Sequence, residues 1–125
     1  MKKSSKAVAL TGILALFSSS AFAAAPIPHE IYNPTDAQVV KAEHSNGGEF
    51  EAEFLLKSKH TSVKSLARQV RQHAKRQGFH EIESSVENND ADLKFKRKDQ
   101  ELDVSIERKD HGIIEYKADL DLDKN

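Results

Sequence analysis

The sequence predicts an α+β domain: one amphipathic helix packed on one face of an antiparallel meander sheet, a two-layer sandwich, after a cleaved signal peptide. Apolar residues recur with a helical period from Val63 to Ala74. On both sides of that stretch apolar and polar residues alternate, and the chain opens with an export signature. We expect residues 1–23 to be the signal peptide, 24–36 a flexible Pro-containing leader and 37–125 a single domain.

The first residues have the three parts of a bacterial signal peptide. Three lysines precede an apolar run over residues 7–17, and a small-x-small cleavage site follows at residues 21–23. A membrane-spanning helix needs roughly 20 apolar residues, about twice this run. We therefore expect export to the periplasm, or secretion, with cleavage after Ala23 or alternatively after Ala25. Cysteine is absent, which excludes a lipidated cysteine, disulfide bonds and thiolate zinc sites.

The segment before the helix combines an irregular leader with two short elements. Pro26, Pro28 and Pro34 remove backbone donors, so we expect an extended, mobile leader. Residues 37–44 fit either strand or helix, and the Asn46-Gly47 pair after them favours a hairpin. A half-buried strand should follow, because four apolar residues alternate with glutamates. These apolar residues are Phe50, Ala52, Phe54 and Leu56.

The amphipathic helix has signals at both ends. Thr61 or Ser62 can be its N-cap, and Gly78 stands where a left-handed C-terminal cap is favoured. Its apolar stripe consists of Val63, Leu66, Ala67, Val70 and Ala74.

After Phe79 the period-two pattern returns four times, separated by short polar turns. Such a pattern predicts an antiparallel meander with one apolar and one charged face. The positions expected on the apolar face are Ile82, Ser84 and Val86, then Ala91, Leu93 and Phe95, then Leu102, Val104 and Ile106, and finally Ile114, Tyr116, Ala118, Leu120 and Leu122.

Charge is distributed unevenly along the chain. Residues 57–80, here called the basic block, contain seven bases and no acid, whereas acids exceed bases on both sides. A helix with a cationic side can bind an anionic membrane, a phosphate polymer or an acidic protein. The alternative is that these cations only solvate the outer side of a core-packing helix. The candidate binding residues are Lys57, Lys59, Lys64, Arg68, Arg71, Lys75 and Arg76.

The remaining polar residues predict no catalytic site, cofactor or bound metal. The six histidines lack the spacing of a metal-binding pair. The carboxylates alternate with core residues on open strands, so we expect them to be solvated and paired across strands with lysines or with Arg108. Nucleic acid is not an expected partner, because no aromatic residue in the basic block is placed for base stacking. The histidines are His29, His44, His60, His73, His80 and His111.

Several short motifs occur in a recognisable order from the helix onward. They are Leu66-Ala67, Ala74, Gly78-Phe79, Leu93-x-Phe95, Val104-x-Ile106-Glu107 and His111-Gly112-Ile113-Ile114. In this order the chain resembles the PepSY-type domains of exported bacterial proteins, over about half of the mature chain. It departs from that pattern at His111, where Thr is usual, and at Glu107, where Asp is usual. The resemblance implies a non-catalytic binding or inhibitory module.

These observations predict a small periplasmic, non-catalytic binding or inhibitory accessory protein. The basic helix is the first candidate surface, facing an envelope protein or an anionic lipid. The second is the outer sheet face, with Glu51, Asp103 and Asp119. Two alternatives stay open: an envelope-surface protein that docks its basic helix on anionic lipid or lipopolysaccharide, and a metal-binding or hydrolytic enzyme.

Overall fold

The computed structural model describes residues 25–45 and 47–121. The signal peptide and the cleavage site after Ala23 lie outside these residues. Among the helices of the described part, none is long and apolar enough to cross a membrane.

One helix and one antiparallel sheet make up the described fold, which confirms the two-layer α+β prediction. Six strands follow the order β1-β2-β6-β5-β4-β3 in the described residues, so β3 to β6 form the predicted meander. The last strand, β6, lies between β2 and β5 and joins the first hairpin to the meander. The elements are β1 Gln38–His44, β2 Glu49–Lys57, α1 Val63–Arg76, β3 His80–Val86, β4 Asp90–Arg97, β5 Gln100–Lys109 and β6 Ile113–Asp121.

Both ends of α1 are capped as the sequence predicts. Ser62 is the N-cap, and its hydroxyl accepts a hydrogen bond of 3.0 Å from the Ser65 N–H. At the other end Gly78 has a φ of +91°, a left-handed conformation that glycine adopts without steric cost. The Phe79 N–H then donates to the Ala74 carbonyl at 3.0 Å, which closes a Schellman-type cap.

The core lies between α1 and the apolar face of the sheet. All five residues of the predicted helix stripe are buried, as are the apolar residues of β2, β4, β5 and β6 that face them. The largest fully buried side chain is Tyr116, whose ring stacks on Phe54 at a centroid distance of 4.8 Å. Burial on this scale fixes α1 through its apolar side and leaves its polar side to the solvent.

Part of the leader contacts the core. The sequence predicts a flexible segment over residues 24–36, and its mobility stays a prediction. In the structure Ile31 is only 2% exposed, and Ala25, Ile27 and Tyr32 pack against the core. The Tyr116 hydroxyl donates to the Tyr32 carbonyl at 2.8 Å, and His73 Nε2 donates to the His29 carbonyl at 2.7 Å. Proline restricts the backbone, which lowers the entropy lost when the buried Ile31 and these hydrogen bonds hold the segment in place.

Strand β3 also departs from the simple alternation. The register with β4 shifts between Glu81 and Glu83, so Ile82 has no partner in the ladder and is 49% exposed. A bulge adds one residue to the strand, so the side chains of the residues before it lie on the opposite face of the sheet from the one that simple alternation predicts. As a result Glu81 lies opposite Phe95, whose side chain is buried in the core, and Glu81 can reach α1. Glu81 was expected to lie on the outer face of the sheet.

Candidate functional site: the basic helix and the edge strand

The structure divides the seven candidate cations between a turn and the helix. Lys57 ends β2, and Lys59 lies in the turn that follows it. The other five lie on α1 away from its buried stripe, and all of them are exposed. These five helical residues are Lys64, Arg68, Arg71, Lys75 and Arg76.

Four of these cations form one row along the helix. Lys64, Arg68, Arg71 and Lys75 stand at i, i+4, i+7 and i+11, which places them on the same side of α1. We call these four residues the cationic stripe. Arg71 bonds Glu81 of β3, so the cationic stripe runs along the side of the helix that faces the edge strand.

The ion pair between Arg71 and Glu81 connects the helix to β3. Arg71 Nε donates to Glu81 Oε1 at 2.7 Å, and its Nη2 donates to Oε2 at 3.1 Å. This bidentate hydrogen bond is the main cause that lowers the pKa of Glu81 and raises the pKa of Arg71. Both side chains are partly exposed, so the pair orients Arg71 more than it stabilises the fold.

The other cations of the stripe differ from those of the sheet. Within the described residues, Lys64, Arg68 and Lys75 have no carboxylate at ion-pair distance. Several sheet cations do have one, as Lys41 does with Glu51 at 2.6 Å. The paired sheet cations are Lys41, Lys94, Arg97, Lys109 and Lys117.

A groove of about 560 Å³ lies beside the cationic stripe, between α1 and the start of β3. Phe79 and Phe95 give it an apolar lining, and both rings are otherwise buried. Arg71 and Lys75 line it from the helix, and His80 and Glu81 line it from the strand. The groove therefore combines aromatic surface with cationic groups, a combination suited to an anionic ligand that also carries an apolar group.

The second candidate surface, on the outer sheet face, brings like charges together. Glu43, Glu51, Asp119 and Asp103 are consecutive cross-strand neighbours on β1, β2, β6 and β5. We call these four residues the carboxylate row. Sequence reasoning predicts solvated acids paired with bases, but Asp103 and Asp119 directly face each other, because the strand order places β5 next to β6.

Burial changes the chemistry of two acids in this row. Asp103 Oδ1 is shielded from solvent and has no hydrogen-bond partner among the described residues. Burial, then a hydrogen bond and repulsion from Glu101, raise the pKa of Asp103 to about 6. Burial first, and then the charge of Glu51, raise the pKa of Asp119 as well. This pair was expected to be fully solvated, and the difference comes first from burial and then from neighbouring carboxylates.

Sequence reasoning missed the side chain that holds three segments together. Arg97 donates to the Gln77 carbonyl at 2.7 Å, to Glu30 at 2.9 Å and to Gln100 Oε1 at 3.1 Å. Its guanidinium also lies 4.5 Å from the ring centroid of Phe79. The only signal in the sequence was an arginine at the end of a strand next to a turn, which is too common to single out a residue.

The structure places no group of three or more histidines and carboxylates where they could hold a metal ion, within residues 25–45 and 47–121. No family model, curated protein or solved structure matches the chain significantly. The resemblance to PepSY-type domains therefore stays a prediction.

Proposed function

We propose that the protein is a non-catalytic binding module of the bacterial envelope that contacts an acidic protein through its basic helix. The observation that carries the proposal is the contrast among its cations. Five cations of the sheet have carboxylate neighbours, whereas Lys64, Arg68 and Lys75 project from one side of a single helix without one in the described part of the chain. Exposed cations clustered on one side of a helix attract an anionic partner and accelerate its association.

The packing of α1 favours a protein over a membrane as the partner. A helix that lies in a membrane interface inserts its apolar side among the lipids. Here that side is already used, because Leu66 is fully buried and Val70 is 2% exposed against the sheet. Only the charges remain available, and a protein can complement them with fixed carboxylates.

The proposal can be tested with paired charge-reversal variants of the mature chain. Arg68→Glu/Lys75→Glu removes two cations of the stripe, and Lys98→Glu/Arg108→Glu makes the same change in net charge at exposed positions outside α1. Binding is measured by fluorescence anisotropy with labelled poly-L-glutamate, and by co-sedimentation with vesicles containing phosphatidylglycerol. We expect the helix variant to lose most of the polyglutamate binding and the control to retain it. Binding of the wild type should weaken steeply between about 50 and 300 mM salt.

Two outcomes would count against the proposal. Equal losses in both variants would show that net charge matters and that the helix does not. Binding to vesicles without binding to polyglutamate would favour the envelope-surface alternative, in which the helix docks on anionic lipid or lipopolysaccharide.

The envelope location has its own test. The signature at residues 21–23 predicts that the mature protein begins at Ala24 or, as the second choice, at Pro26. Mass spectrometry of the intact periplasmic protein determines the first residue. Recovery of the full-length chain from the inner membrane would contradict the prediction.

A further inference from the structure

We propose that the acidic partner binds as an extended strand along the outer edge of β3, with acidic side chains directed to the cationic stripe. This inference deepens the proposed function and rests on it. It concerns how the partner binds: a segment with acids at alternate positions adds to the sheet by main-chain hydrogen bonds, a known mode of peptide recognition.

The two edges of the sheet are in different states. At the β1 edge the leader makes one backbone hydrogen bond, from the Ala25 N–H to the Ala42 carbonyl at 3.1 Å. At the other edge, residues 80–86 of β3 have no backbone hydrogen bond to a neighbour on their outer side within the described residues. An edge strand with free N–H and C=O groups is a template for pairing with another chain.

The exposure of β3 agrees with an open edge. Its residues from His80 to Ser85 are all exposed, although they belong to a regular sheet. Ile82 is the one large apolar side chain that is exposed in the described residues. It lies on this edge, where a partner's apolar residue can cover it.

The side chains beside the edge specify the charge of the partner. On the helix side of β3 lie the groove and Lys75, next to Arg71, which is paired with Glu81, and the cationic stripe continues from there to Arg68 and Lys64, unpaired within the described residues. Alternate residues of an added strand point to this side, because the side-chain period of a strand is two. Acids at these positions meet the stripe. The residues between them face the side of Glu83, where acids would be repelled, so the segment should be acidic only at alternate positions.

The inference is tested with synthetic peptides bound to the mature chain. The probe is a labelled eight-residue peptide of alternating Glu and Val, and labelled poly-L-glutamate is the comparison ligand. Two N-methylated versions of the probe carry methyl groups on alternate amides, in one register or the other. In a strand, one set of N–H groups points to the neighbouring strand and the other set points away.

Strand addition predicts that one register of methylation weakens the probe more than about tenfold and that the other does so much less. Ile82→Ser should weaken the probe several-fold and leave polyglutamate binding unchanged, and Ser85→Ala, at an exposed position of β3 opposite Asp92, is the control. Arg68→Glu/Lys75→Glu should weaken both ligands. Circular dichroism and the midpoint of denaturation confirm that each variant is folded.

The outcomes separate this inference from the proposed function. If the helix variant loses both ligands while methylation in either register and Ile82→Ser have no effect, the basic helix binds anions and strand addition is wrong. Should the helix variant retain both ligands, the proposed function itself fails, and the inference fails with it.

Discussion

The cationic stripe of the helix and the five paired cations of the sheet have the same charge but different surroundings. On the sheet, Arg97 bonds Glu30, Gln77 and Gln100, and Lys109 lies between Glu107 and Glu115. On α1 the pattern is reversed, because Arg71 alone of the cationic stripe reaches a carboxylate in the described residues. The difference shows that charge density by itself does not identify a binding surface. Whether the fold has already neutralised the charges is more informative.

The outer side of the helix is free for binding only if its buried side fixes α1 to the sheet. Leu66→Ala should lower the free energy of unfolding by about 2–5 kcal/mol, because Leu66 is fully buried. Arg68→Ala should change it by less than about 0.5 kcal/mol. Urea denaturation measures both, and similar losses would mean that the cationic side also supports the fold.

Among the paired cations, Arg97 joins the leader to the end of α1. Arg97→Ala should lower the free energy of unfolding by about 1.5–3 kcal/mol, since it removes hydrogen bonds to a carboxylate and to the end of α1. Burial is the largest single influence on the pKa of Glu30 and raises it, but the hydrogen bond from Arg97, a backbone hydrogen bond and the charges of His29 and Arg97 together lower it. Hydrogen exchange should show faster exchange of the Ile31 amide, which donates to the Pro28 carbonyl. Lys96→Ala is the control, and unchanged exchange in Arg97→Ala would show that the leader docks without this arginine.

A smaller effect is expected on the outer sheet face, where burial and the neighbouring Glu101 make the charge of Asp103 unfavourable. The folded-state pKa of Asp103, about 6, lies above its ordinary value of 3.8. The folded protein therefore binds more protons than the unfolded chain between these values, so stability rises as the pH falls from 7 towards 5. Because Asp103 is partly solvated, we expect a gain of about 1 kcal/mol or less.

Asp103→Asn separates this effect from other titrations. The variant should be more stable than the wild type at pH 7 and should have a flatter pH profile between 5 and 7, measured by thermal unfolding. Asp92→Asn, opposite Ser105, is the control. At lower pH the trend should reverse, because Glu30 and Glu81 have lowered pKa values and lose their arginine pairs when protonated. A stability that falls steadily from pH 7 to 5 would contradict the role of Asp103.

The smallest effect is expected for the ion pair of Arg71. A double-mutant cycle with Arg71→Ala and Glu81→Ala should give a coupling energy of about 0.2–1 kcal/mol, the usual range for a partly exposed pair. A coupling above about 2 kcal/mol would show that the pair fixes the helix to β3, and Arg71 would then belong with the sheet cations.

Sequence periodicity was sufficient for the helix, its caps and the meander, because those features depend on residues close in the chain. The stripe from Val63 to Ala74 and the cap at Gly78 are both local patterns. Sequence periodicity does not predict features that depend on strand order or on an irregular register. The approach of Asp103 to Asp119 follows from the pairing of β5 with β6, and the position of Glu81 follows from a bulge. The docking of the leader depends on contacts between Tyr32 and Tyr116, which are far apart in the sequence.

The central position of β6 determines when the sheet can be completed. Phe50 near the start of the domain pairs with Leu120 near its end, and no other described strand connects the first hairpin with the meander. Contacts between such distant residues form late and slow the folding of small domains. A chain that emerges with its N-terminus first therefore cannot complete the described sheet until β6 has emerged.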